Sequence, residues 1–172
     1  MRRSYLIAAS LAVAAVVGPA TAAAPAPKKP IQFEKMMGRW YEVARTPNQR
    51  QKNCFAPYAD WKPEGAGKAQ VTNTCRKGSP TGPVETNKAT ARLVDAGKAK
   101  ISMSFLLGTI NQEYWILDRA DDYSWSIMGT PGGNYVWVFS RQKTLTPAQR
   151  DALVGRARAL GYPASKIEVV GR

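Results

Sequence analysis

Apolar and polar residues alternate in short runs along most of this chain, and turn residues separate the runs. Alternation at a period of two marks strands with one face buried. Arg39 to Thr46 forms the first such run and stops before Pro47. Cys54 to Lys62 and Lys68 to Arg76 flank Pro63-Glu64-Gly65-Ala66-Gly67, a turn between paired strands. Val84 to Val94 and Lys98 to Leu107 flank Asp95-Ala96-Gly97, a second hairpin signal. Glu113 to Arg119, Tyr123 to Gly129 and Tyr135 to Arg141 follow, the last two joined through Thr130-Pro131-Gly132-Gly133-Asn134. The pattern gives eight short strands at even spacing, as in an antiparallel sandwich or barrel.

The period then changes. Thr146-Pro147-Ala148-Gln149 places a threonine at the N-cap, a proline at N1 and a glutamine at N3. Leu153, Ala157 and Leu160 recur on one helical face, and Gly161 sits where a helix-ending glycine belongs. A helix is therefore expected over Pro147 to Leu160, with a short last strand at Ile167 to Val170. Together these elements predict an all-β fold: an eight-stranded antiparallel up-and-down barrel with one C-terminal α-helix packed outside. A barrel of this size holds one small ligand or fills with side chains.

The first residues follow neither period. Arg2 and Arg3 precede an apolar stretch from Tyr5 to Val17, and Ala20-Thr21-Ala22 has the small-x-small form of a cleavage site. That stretch is shorter than the roughly 20 residues that span a bilayer. Residues 1–23 are expected to be a cleaved signal peptide, 24–30 a flexible leader rich in Pro, Ala and Lys, and 31–172 the folded domain. The Arg2-Arg3 start loosely resembles a twin-arginine signal, so the export route stays open. No cysteine stands at the end of the signal for a lipoprotein anchor. A soluble exported protein, periplasmic or secreted, is the expectation.

Composition adds two constraints. The net charge is +13, of which Arg2 and Arg3 supply two, so the domain is strongly basic. Such a balance attracts anionic membranes, nucleic acids or acidic ligands. No nucleic-acid motif is present, so nucleic acid is not an expected partner. Histidine is absent, which removes a Ser-His-Asp triad and a histidine-based metal site. No cofactor and no metal are expected.

Three motifs occur in order. Gly38-Arg39-Trp40-Tyr41-Glu42-Val43-Ala44-Arg45 opens the first strand. Trp115-Ile116-Leu117-Asp118-Arg119 runs into Asp122-Tyr123. Tyr135-Val136-Trp137-Val138-Phe139-Ser140-Arg141 closes the barrel set. They resemble the three motifs of the lipocalin family, and the resemblance covers about residues 31 to 170. It is nearest to the bacterial lipocalins and their apolipoprotein D-like relatives; the best-known bacterial ones are lipid-anchored through a cysteine, which is not found at the end of the expected signal here. The resemblance implies structural roles for Gly38, Trp40, Asp118 and Arg141, with Trp40 packed on Arg141 to plug one end of the barrel. A guanidinium on an indole face is worth about 0.5–2 kcal/mol.

Cys54 and Cys75 are the only cysteines. A turn centred between Glu64 and Gly65 places them opposite each other on paired strands, at the separation a disulfide needs. A reactive thiol, as in one prostaglandin-isomerising lipocalin group, is the alternative.

Alternation and the resemblance together name the pocket wall. Arg141 inside puts Phe139, Trp137 and Tyr135 on the same face. Ile101, Met103 and Phe105 share one face of the fifth strand. Tyr114 and Ile116 are taken as inward on the sixth, and Trp125 and Ile127 on the seventh. These residues either fill the barrel as core or line an open calyx, and the resemblance favours the calyx. Tyr114 and Tyr135, and Arg92 if it faces inward, could meet a polar headgroup. The expected function is non-catalytic binding or transport of a fatty acid or lysophospholipid. One alternative is a basic protein that acts on anionic membrane surfaces or partners with the barrel as scaffold. Lipid-modifying catalysis through carboxylates such as Asp118, Asp121 or Asp122 is a weaker alternative.

Overall fold

A computed structural model describes residues 24–162 and 164–170. The expected signal peptide lies outside them. Eight strands close into a barrel: β1 (Gly38–Arg45), β2 (Cys54–Pro63), β3 (Lys68–Lys77), β4 (Val84–Asp95), β5 (Lys100–Phe105), β6 (Ile110–Arg119), β7 (Trp125–Gly129) and β8 (Val136–Ser140). Each pairs antiparallel with its neighbour in sequence, and β8 and β2 both pair with β1, which closes the ring. Closure leaves no exposed edge among the eight. The ninth strand, β9 (Glu168–Val169), adds to β1 from outside at Ala44 and Arg45. The eight-stranded up-and-down barrel expected from the alternation is the observed one.

Helix α1 (Pro147–Ala159) packs against the outside of the wall. Its capping box forms as the sequence indicates. Thr146 Oγ1 accepts from Gln149 N at 3.2 Å, and Thr146 N donates to Gln149 Oε1 at 2.9 Å. Leu153, Val154, Ala157 and Leu160 then bury against Val43, Leu117, Ile127, Val136 and Val138. Gly161, at φ +95°, turns the chain away from the helix end. The apolar interior thus has two parts: one inside the barrel and one between barrel and helix.

Four bulges interrupt the ladders, and each resets which residues face inward. The one between Glu42 and Ala44 turns both Val43 and Ala44 outward. The one between Ile116 and Asp118 leaves Ile116 inside and sends Leu117 out to the helix. The expected register of β2 and β3 requires correction. Their turn centres on Ala66, not between Glu64 and Gly65, because β2 stays extended through Pro63, which pairs with Ala69. Gly65 and Gly67, at φ +111° and +65°, supply the left-handed backbone that this turn needs. Cys54 consequently pairs with Lys77, and a bulge follows between Phe55 and Tyr58. The disulfide Cys54–Cys75 is nevertheless present, with a Cα separation of 5.5 Å. It links residues that are diagonal across the ladder.

One end of the barrel is sealed. A 3-10 turn at Phe33–Met36 crosses it, with Phe33 and Met36 buried. Trp40 is 1% exposed and donates from Nε1 to Met36 O at 2.8 Å. The Arg141 guanidinium lies 3.6 Å from the Trp40 ring centre and donates to Arg39 O and Lys35 O, each at 2.8 Å. Gly38 at φ +91° lies beside Arg141: a Cβ there would come within 3.3 Å of its Nη1. Residues 24–30 run along the barrel exterior. Ala24 N donates to Pro131 O and Lys28 N to Leu117 O, while Lys29 bridges Asp121 at 2.7 Å.

Candidate ligand-binding site

The barrel interior holds a cavity of about 450 Å³ that opens at the end opposite Trp40. This is within the size range of small-molecule pockets. Its floor is apolar: Met36, Trp40, Ala59, Trp61, Val71, Met103, Met128 and Phe139. Its upper wall is more polar, with Asn73, Thr74, Thr86, Asn87, Gln112 and Thr130 among the lining residues. Alternation produces both halves. The same inward face of β3 carries Val71 low in the barrel and Asn73 above it.

Of the residues expected on the pocket wall, Met103, Phe105, Tyr114, Tyr135, Trp137 and Phe139 line the cavity. Ile101 and Ile116 also point inward, but they are packed in the core rather than against the open space. Trp125 and Ile127 do not face the cavity. Ile127 pairs with Val138 and packs against the helix side of the wall. Trp125 lies under the Arg156 guanidinium of α1, 4.7 Å from its ring centre. Their inward neighbours are Ser126, opposite Phe139, and Met128, opposite Trp137. The inversion has a physical cause. Both faces of β7 are buried, one by the lumen and one by α1, so apolarity does not identify the lumen side. Arg92 is exposed and pairs with Ser102 near the sealed end, outside the cavity. Asp118 lies on the outer wall, opposite Ile127, where its Oδ1 accepts from Arg119 N at 2.9 Å.

A buried polar cluster builds the rim where β1 leaves the barrel. Glu42 Oε1 accepts from Arg45 Nη1 at 2.9 Å, and Glu42 Oε2 accepts from Gln51 Nε2 at 2.7 Å. Gln51 Oε1 accepts from both Trp137 Nε1 at 2.8 Å and Asn48 Nδ2 at 2.7 Å. Arg45 also bridges Glu168 of β9 at 2.6 Å. These bonds tie the β1–β2 loop to β8. They also hold a carboxyl in the cavity wall, where burial pushes its pKa up despite the neighbouring guanidinium. Burial likewise raises the Tyr114 phenol, so it stays a neutral hydrogen-bonding group at ordinary pH.

Glu42 was within reach of sequence reasoning, since it lies two residues beyond Trp40 on one strand and shares its face. Gln51 carried no such signal, because its role depends on how a loop folds back. Ser126 Oγ and Thr130 Oγ1 line the cavity, are buried and bond to no protein group. Arg50 is the one cation among the described lining residues. It lies 5.9 Å from the Phe105 ring centre. The carboxylates of the lining are Glu42 and Glu85.

A sealed floor, a calyx open at the far end and a Trp40–Arg141 plug are combined with a matching family model, described as a lipocalin-like domain, over residues 31–172. The chain belongs to the lipocalin family. Temperature-induced lipocalin-1 of Arabidopsis thaliana is 28% identical over 146 residues, covering 81% of this chain and 78% of the relative. The outer membrane lipoprotein Blc of Vibrio cholerae is 23% identical over 175 residues, covering 97% and 96%. Among solved structures, insecticyanin from the tobacco hornworm Manduca sexta superposes with a TM-score of 0.68 at 20% identity, covering 86% of this chain and 84% of that one. At that identity the superposition speaks for the fold. Lipocalin barrels enclose a space suited to one small hydrophobic ligand. In this member of the family both cysteines are consumed by the disulfide, a bond that persists in exported proteins.

Proposed function

We propose that this lipocalin binds and carries one amphipathic lipid, a fatty acid or a lysophospholipid, without chemical change to it. The observation that supports this most is the polarity gradient of the cavity. The acyl chain would lie against Met36, Trp40, Met103 and Phe139, where each Å² of apolar surface removed from water contributes about 25 cal/mol. The head would remain near the mouth, where Arg50 supplies positive charge and Tyr135 a hydroxyl. The apolar floor offers an anionic head no partner, so the head stays at the mouth. Export through residues 1–23, with the mature protein periplasmic or secreted, accords with the disulfide and belongs to the same proposal.

Native mass spectrometry of the protein purified from cells, before and after delipidation, tests the reading. Support is a discrete added mass that leaves on extraction and returns with a defined fatty acid or lysophospholipid. Clean protein mass in both states, with no uptake from a lipid mixture, overturns it.

A further inference from the structure

The open end of the barrel displays apolar side chains to solvent. Leu106 and Leu107, at the tip between β5 and β6, are 64% and 109% exposed. Val84, at the start of β4, and Tyr135, just before β8, are exposed at the same end. Val94 is the other large exposed apolar residue among those described, and it lies toward the sealed end.

The conformation of the leucines sharpens the point. Leu106 and Leu107 have φ of +49° and +56°, the left-handed region that side chains with a Cβ disfavour. Glycine or asparagine would make the turn with less strain. The tip is nevertheless fixed. Thr109 donates to Leu106 O through both N (3.2 Å) and Oγ1 (2.8 Å), and Asn111 Nδ2 donates to Gly108 O at 3.2 Å. Two strained leucines are thus held pointing into water by a hydrogen-bonded turn.

Charge at this end is one-sided. Arg50, Lys52, Arg76 and Lys77 lie on the loops and strand ends of the mouth, and Lys88 on the part of β4 that runs past the end of β5. Glu85 is the one exposed carboxylate among them, 3.6 Å from Lys77. Glu42 and Glu168 are engaged with Arg45. The remaining carboxylates lie on the sealed end, the outer wall and α1.

We infer that the mouth docks on an anionic lipid bilayer, with Leu106 and Leu107 inserted among the lipids and the surrounding cations on the headgroups. A narrow projecting tip with a cationic surround suits a fluid, negatively charged surface, where apolar insertion and headgroup attraction add. It offers no broad apolar patch for a protein partner. Docking in this pose opens the cavity toward the membrane from which an amphipathic lipid would be drawn. The inference rests on the carrier reading for its purpose, while the docking itself is measured separately.

The test is co-sedimentation of the protein, in the form that cells accumulate, with vesicles of phosphatidylcholine alone or mixed with phosphatidylglycerol. Binding is expected on the mixed vesicles, and it should weaken as salt rises. Leu106→Ser with Leu107→Ser lowers it at least about tenfold. So does Leu106→Gly with Leu107→Gly, which suits the left-handed backbone and guards against misfolding of the serine variant. Lys52→Glu and Arg76→Glu each weaken it about fivefold. Val94→Ser leaves it unchanged. Fatty-acid uptake from solution persists in both leucine variants.

Absence of binding to the mixed vesicles overturns the inference. So does binding that the leucine variants leave intact, or binding equal on neutral vesicles. If vesicle binding follows the leucines while no lipid is ever taken up from solution, the docking surface stands and the carrier reading fails.

Discussion

At the scale of single residues, two sites show how the barrel interior constrains its side chains. Trp40 is held at its ring edge by Met36 O and on its face by the Arg141 guanidinium. Trp40→Ala should cost about 3–5 kcal/mol of unfolding free energy in urea titrations, as a truncated buried aromatic does. Arg141→Ala should cost about 1–3 kcal/mol through its two lost carbonyl contacts. The double variant should fall short of the sum, because the stacked pair is lost once in either single variant.

Glu42 carries the pH dependence of the rim. Burial lifts its folded pKa above the ordinary 4.5. Between those two values the folded state keeps a proton that the unfolded chain has released. Its favourable contribution is therefore complete below about 4.5 and is lost as pH rises through the folded value. In Glu42→Gln, Arg45 retains Glu168, mean stability falls by about 1–3 kcal/mol, and the slope across that window flattens. Chemical denaturation at a series of pH values reads both effects, and an unchanged slope would show that Glu42 does not titrate there.

At the scale of elements, β7 separates stability from binding. Ile127 faces α1 and Met128 faces the cavity. Ile127→Ala should destabilise by about 2–5 kcal/mol while lipid affinity stays within about twofold, since no lining atom changes. Met128→Trp should lower affinity at least about tenfold by filling the cavity. Denaturant melts paired with fluorescent fatty-acid displacement distinguish the two. The reverse pattern would restore the orientation that alternation first suggests. The sequence reads poorly at this scale for a definable reason. Large apolar residues appear on both faces of β6 and β7, and the bulge after Ile116 shifts the parity halfway along a strand. On β5 and β8, serines or valines opposite larger residues leave less choice, and Met103, Phe105, Trp137 and Phe139 lie where alternation places them.

At the scale of the whole molecule, ligand binding and folding share one cavity. A lipid that binds only the closed barrel adds about 2.7 kcal/mol of stability at a hundredfold excess over Kd. For a domain of this size this raises Tm by several degrees. Calorimetry of the delipidated protein with increasing fatty acid should show that shift, and a Tm independent of lipid would count against internal binding. The same scale explains why net charge alone said little about function. The basic excess matters through its placement, with carboxylates kept from the mouth except where they pair.

The sequence by itself determined the number and order of the strands, the capped helix and the family, which follow from period, turn residues and local motifs, all short-range along the chain. Through the family resemblance it also implied the plug of Trp40 and Arg141. It also named the right cysteine pair, although through a register displaced by the turn at Ala66. Tertiary structure decided the rest. Bulges set which face of each strand is the lumen, and the position of α1 decided that Trp125 and Ile127 face away from the cavity. Closure of the ring brought Glu42, Gln51 and Trp137 into one hydrogen-bonded cluster from three separate segments. It also gathered the exposed leucines and cations at one end. Such placements depend on distances between segments remote in sequence, and alternation along a single strand carries no record of them.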